Sequence, residues 1–300
     1  MAILLDVASL LLFPGLGFAV AGGVGTVWAV RWLGSLSGGQ ERTSWGQMLG
    51  QTRQLLEMAL HPAAEELDRA SGLLLVGVGA AAAASTCLWR YLLAPTLGGW
   101  GDFYVFLPLL ATPTVVAFAW GDWRARGKGL GRERDALLLA HTGVLLLALC
   151  APAVAGGSLW LGHLLHPANG SVPLAFNVGG GLAFLVAAVA TTTQLALLDT
   201  VWDECLALIN GAVQALLIQL LRAANWFVMV SALTLLFWVP PVAPVVAFAV
   251  ALAEYAVVLV LLVALRRALR RPEARLLVDV GWLPLGVAAL LSLALVAGGW

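Results

Sequence analysis

"VAFAVALAEYAVVLVLLVAL", residues 246–265, is a run of apolar side chains broken by one acid, Glu254, and the next ten residues, "RRALRRPEAR", carry five arginines. At 1.5 Å per residue such a run is about 30 Å long as a helix, the thickness of a bilayer's hydrocarbon core. A helix on a water-facing surface would carry a polar stripe, and this run has none. The segment therefore reads as a membrane span that stops at a basic flank.

The same grammar recurs along the whole chain. Further spans are predicted near residues 3–30, 70–95, 102–121, 136–156, 173–198, 215–238 and 280–299, which with 242–265 makes eight. The chain has 300 residues, 61% of them hydrophobic and 11% charged, with a mean hydropathy of +0.95. A soluble domain needs about a quarter of its residues charged to cover its surface. The predicted fold class is all-α: a polytopic membrane protein of about eight transmembrane helices, in a single domain covering 1–300, with one amphipathic interfacial helix. The opening "MAILLDVASLLLFPG" has no basic leader and reads as the first span, not a signal peptide. Pro14, Pro108 and Pro113 fall within spans, where proline bends a helix without ending it.

Eight spans put both termini on one side, and the basic residues then sort. Arg31, Arg42, Arg53 and Arg69 follow span one. Arg124, Arg126, Lys128, Arg132 and Arg134 follow span three, inside "WRARGKGLGRERD" (123–135). Arg222 goes with the turn between spans five and six, and Arg266, Arg267, Arg270, Arg271 and Arg275 follow span seven; Arg90 alone lies near the opposite side. Basic loops stay in the cytosol during insertion. The expected location is the cell (inner) membrane, crossed many times, with both termini outside.

Two more segments read as helices that do not cross. "WGQMLGQTRQLLEMAL" (45–60) places Met48, Leu49, Leu55, Leu56, Ala59 and Leu60 on one face, as an interfacial helix requires. "DTVWDECLALIN" (199–210) reads as a charged bridge between spans five and six.

Few residues can carry chemistry. Glu254 lies mid-bilayer, where an ionised carboxylate costs at least about 2.5–3.5 kcal/mol, so it must face protein or water. It reads either as a proton carrier or as a neutral acid bonded to a neighbouring helix. Asp199, Asp203 and Glu204 cluster at one end of span five; Asp199 and Asp203 share a helix face and repel, so they either meet arginines such as Arg134 or Arg222 or face water. His141, two turns into span four, titrates near neutral pH and is a candidate relay. Cys87, Cys150 and Cys205 are far apart, and His163 and His166 have no evident third ligand, so no metal site is expected from this chain alone. With net charge zero, nucleic acid is not an expected partner. The glycines of "NVGGGLAF" fit close helix packing, and "NGS" (169–171) matches a glycosylation acceptor.

In this order the features resemble the H-type membrane component of respiratory complex I (NADH-quinone oxidoreductase) and its relatives in energy-converting hydrogenases and formate hydrogenlyase. "TRQLLEMALHP" is similar to the family's amphipathic element after its first loop. "GRERDALLLA" keeps Gly131, Arg134 and an acid, Asp135, at the family's third-loop spacing. "LALLDTVWDECLALING" keeps Asp199, Glu204 and, one position displaced, Gly211. "LVALRRALRRPEARLLVDVGW" matches the family's succession at Arg267, Ala268, Pro272, Arg275, Gly281 and Trp282. The resemblance covers nearly the whole chain, but no motif is complete. The Arg-Gly-Pro element after span one is missing, most glutamates after Asp199 are gone, Gly143 stands where the family has a glutamate, and Glu254 stands where it has a lysine.

The resemblance implies a non-catalytic membrane subunit of an oxidoreductase complex. It would dock a hydrogenase-like or complex I-like soluble arm on the loop containing Arg124, Arg126, Arg132, Arg134 and Asp135. It would link that arm to antiporter-like membrane subunits and to proton or sodium translocation, with Asp199, Asp203, Glu204, Glu254 and His141 as ion-coupling candidates. No cofactor is expected on this chain; iron–sulfur and nickel–iron or quinone chemistry would belong to partners or interfaces. The competing reading is a stand-alone secondary transporter using Glu254. Such carriers commonly show repeated halves, and none is evident here.

Overall fold

A computed structural model describes residues 16–35, 53, 57, 69–93, 102–124, 132–165, 173–207, 212–238, 244–269 and 281–300. The elements are α1 (Leu16–Ser35), α2 (Arg69–Leu93), α3 (Phe103–Arg124), α4 (Arg132–Gly156), the single turn α5 (Leu161–Leu164), a 3-10 turn (Leu174–Phe176), α6 (Val178–Ala207), α7 (Ala212–Phe237), α8 (Pro244–Leu269) and α9 (Trp282–Ala297). Among the described residues there is no β-strand, only an isolated bridge between Asp102 and Trp160. Seven of the helices are long and apolar enough to cross a membrane, and α9 is an apolar helix of 16 residues. The all-α polytopic fold expected from the sequence is the fold found. The eighth predicted span corresponds to α9, which is shorter than the others. Of the predicted interfacial helix, only Arg53 and Glu57 are described; both are helical and joined by an exposed ion pair of 2.7 Å. Arg126 and the 169–171 acceptor lie outside the described residues, while Arg124 and Arg132 fall in helix ends of α3 and α4.

Two boundaries differ from expectation, for one reason. The charged bridge at 199–210 is a continuation of α6 through Ala207, and Arg222 lies ten residues inside α7 instead of in a turn. Hydropathy marks a span's end where charge begins. These charges meet one another across the bundle, so both helices carry on past the point where the pattern breaks.

α7 is the most deeply enclosed of the long helices and packs against α1, α2, α6 and α8. Around it Trp89 stacks on Phe227, with Phe18 and Phe248 edge-on to Trp89. Trp89 donates to the hydroxyl of Ser231 at 3.0 Å, so its indole N–H is satisfied inside the core. Small residues set the closest approaches. Gly23 of α1 lies directly on the backbone of Ala223 in α7; a Cβ there would fall 2.3 Å from the Ala223 carbonyl oxygen. The "NVGGGLAF" glycines pack as expected of membrane interfaces: a Cβ on Gly179 would meet Val296 of α9 at 2.8 Å, and one on Gly180 the Leu174 carbonyl at 2.1 Å. Five hydroxyls within the spans are satisfied locally. Thr26, Thr86, Thr142, Thr192 and Thr234 each donate to the carbonyl four residues back.

Candidate functional site

The arginine-rich end of the bundle holds a network of charges between α6, α7 and α8. Asp199 lies on α6 about 12 Å before that helix ends, at 1.5 Å per residue, and its side chain is 5% exposed. Its Oδ1 accepts from Arg222 Nε at 2.7 Å and from Trp226 Nε1 at 3.4 Å. Its Oδ2 faces Arg266 Nη2 of α8 at 2.7 Å. Arg222 uses its Nη1 for Asp203, at 2.8 Å. One guanidinium thus bridges both aspartates, resolving the repulsion expected of two acids one helical turn apart. Arg266 also lies over the ring of Trp226, 5.5 Å from its centroid, a cation–π contact that gains strength away from water.

The helix periods explain the convergence. Asp199 and Asp203 share a face of α6, Arg222 and Trp226 share a face of α7, and Arg266 comes from the last turn of α8. Each of the three helices supplies what the others lack. Just beyond Asp203 on α6, Glu204 pairs with Arg134 of α4, so α6 is tied by charge to α4, α7 and α8 at one end. Arg134 and Glu204 are 39% and 43% exposed. That pair is in contact with solvent or headgroups and contributes little stability, about 0–1 kcal/mol.

The other candidates lie apart from this network. Asp135 is half-buried beside Arg134 on α4. His141 is fully buried, nine residues or about 13 Å into α4. Glu254 stands twelve residues, about 18 Å, up α8 from Arg266; it is half-buried, and its buried Oε2 has no hydrogen-bond partner among the described residues. Its neighbour Tyr255 is bonded to Thr26 of α1. Sequence reasoning names Asp199, Asp203, Glu204, Arg134 and Arg222 as a charged group; it misses Arg266 and Trp226 as members. The available signal is the pair of i, i+4 spacings, 199/203 and 222/226, on consecutive helices. No group of three or more His, Cys, Asp or Glu side chains converges among the described residues, so within them this chain offers no ligand set for a metal.

No family model matches the sequence, and no curated protein matches it. Among solved structures, the chain is similar to a chain of the membrane-bound sulfane sulfur reductase, an archaeal respiratory membrane complex. The TM-score is 0.63 at 14% sequence identity, and the match covers 94% of this chain and 96% of that one. The two share a fold along almost their whole lengths.

Proposed function

We propose that this protein is a membrane-embedded, non-catalytic subunit of a complex I-like respiratory or energy-converting assembly. The observation that carries the reading is the shared fold, end to end, with a chain of a respiratory membrane complex. The motif order of the H-type family supports the finer assignment. In this reading the arginine-rich end is cytoplasmic and receives a soluble redox arm, whose iron–sulfur, nickel–iron or quinone chemistry stays on the partners. The network of Asp199, Asp203, Arg222 and Arg266 is the rigid footing beneath that arm, and Arg134 with Glu204 forms its exposed rim. Ion coupling runs through Asp199, Asp203, Glu204, His141 and Glu254, toward antiporter-like membrane neighbours.

Affinity purification of the tagged chain from native membranes in mild detergent tests this. The expected result is co-purification, in fixed ratio, of soluble subunits bearing iron–sulfur clusters together with other polytopic proteins. A homogeneous monomer from gently solubilised membranes overturns the reading. The assigned orientation predicts that cysteines placed at the arginine-rich end react with impermeant reagents only after the membrane is opened.

A second reading, the stand-alone transporter, is favoured by the carboxylate oxygen of Glu254 that lacks a hydrogen-bond partner among the described residues. Glu254→Gln separates the two. As a complex subunit, the variant is expected to assemble normally and to lower ion movement per electron transferred. As a carrier, the isolated variant is expected to lose substrate uptake in proteoliposomes that the isolated wild type sustains.

A further inference from the structure

We propose that the bundle interior binds one water molecule between the hydroxyl of Thr191 and the carboxamide of Gln194 on α6, beside Thr114 of α3. The starting point is the run "TTTQ" at 191–194, whose four side chains are all buried. Thr192 and Thr193 donate to the carbonyls of Ala188 and Val189, four residues back. Thr191 does not. Its hydroxyl has no hydrogen-bond partner among the described residues, so it alone of the three threonines is turned away from its own helix. Gln194 is satisfied at one end only. Its Nε2 donates to Thr114 Oγ1 at 2.6 Å, while its buried Oε1 has no partner among the described residues. Turning the amide over exchanges the two atoms and changes nothing: one end meets Thr114 and the other stays unpaired.

The helix brings the two unpaired groups together. Residues three apart are neighbours on a helix surface, about 5–6 Å apart at Cβ, and side chains lean toward the N-terminus. The Gln194 carboxamide therefore reaches back over the turn that carries Thr191. The two groups share that region without bonding to each other, and each, left dry, costs the desolvation of a polar group. The surroundings say what joins them. Thr114, Thr191 and Gln194 are each 0% exposed, so no headgroup or detergent reaches the place. All three are uncharged, and an unpaired cation is costly in such an interior. Water is small, donates and accepts at once, and needs two to four polar partners when buried; these three side chains supply them. Gln194 lies 13 residues, about 20 Å, along α6 from its Ala207 end. The site is separate from the charge network and holds equally for a complex subunit and a lone carrier.

A double-mutant cycle on the full chain in neutral detergent, read by thermal unfolding, tests the proposal. Thr191→Val keeps the shape and removes the hydroxyl. It is expected to lower Tm by about 3–6 °C, because the water and Gln194 then lose a partner. Thr192→Val removes a hydroxyl that its own helix uses and is expected to shift Tm by less than half as much. Gln194→Met is also expected to lower Tm. Adding Thr191→Val to it should cause little further loss, since the molecule that joins the two positions is already gone. In bilayers, a water-edited solid-state NMR spectrum should carry signal from water to the Gln194 carboxamide, and Thr191→Val should remove most of it. The proposal is overturned if Thr191→Val leaves Tm unchanged or raises it, the result for a dry, unpaired hydroxyl. It is overturned equally if the losses at 191 and 194 simply add, or if the Gln194 carboxamide receives no signal from water. A fall in wild-type Tm on replacing sodium by choline, absent in Thr191→Val, makes the occupant a cation and also overturns it. Should Gln194→Met fail to fold, the contrast of Thr191→Val with Thr192→Val and the NMR signal carry the test.

Discussion

Asp199→Ala is expected to destabilise the protein by about 3–5 kcal/mol, the cost of leaving buried charge uncompensated. Arg222 and Arg266 are each only 14% exposed. Both direct a guanidinium at the same carboxylate, one oxygen apiece. Without it, Arg222 keeps Asp203 as a carboxylate partner, but Arg266 loses the carboxylate at its Nη2 while only 14% exposed. Asp203→Ala is the matched control. It faces the same Arg222, but its side chain is 64% exposed, so its loss should cost under about 1 kcal/mol. Asp199→Asn keeps an acceptor for Arg222 and removes the charge, and it should fall between the two. Denaturant unfolding in detergent, followed by tryptophan fluorescence, measures all three. Equal effects for Asp199→Ala and Asp203→Ala would show that the network is hydrated and that burial adds nothing to it.

That contrast also shows how much of the molecule a linear reading can reach. The spans are legible because lipid imposes a single rule on length and polarity, and α8 is visible from the nineteen apolar residues that surround Glu254 at 246–265. The helix ends are less so. Arg222 interrupts an apolar run and reads as part of a turn, whereas the fold places it inside α7 because Asp199 and Asp203 await it on α6. Such charges mark the boundary of a span only when nothing nearby neutralises them. Arg266 is legible as a basic flank of α8 but not as a partner of Asp199, since 67 positions separate the two and no local spacing joins them. Trp226 is hidden for a different reason: in so apolar a helix, its cation–π contact with Arg266 reads as one more core aromatic. Glu254 is the reverse case. Its sequence position raises the question, and its half-buried carboxylate, with one oxygen unbonded among the described residues, keeps the question on that residue.

The close crossing of α1 and α7 yields a second large effect. Gly23→Ala places a methyl group where the Ala223 carbonyl oxygen is 2.3 Å and its carbon 2.4 Å away, and both atoms belong to the backbone of an enclosed helix. No rotamer change relieves such a contact, so the helices must separate along the whole crossing. Overpacking of this kind costs about 1–3 kcal/mol, occasionally more, and a backbone obstruction belongs at the top of that range. Gly22→Ala meets the ring of Phe227 instead, at 2.5 Å. That ring is stacked on Trp89, so it yields only partly and the cost should be smaller. Gly25→Ala meets nothing within 4 Å and should be neutral or stabilising by up to about 1 kcal/mol, from the better helix propensity of alanine. The order Gly23, Gly22, Gly25 is therefore the expected order of loss in unfolding free energy. Hydrogen exchange across residues 16–35 should be fastest for the Gly23 variant and slowest for the Gly25 variant, because the Thr26–Tyr255 bond that ties α1 to α8 depends on the crossing. If all three variants behave alike, α1 is held by lipid and not by α7.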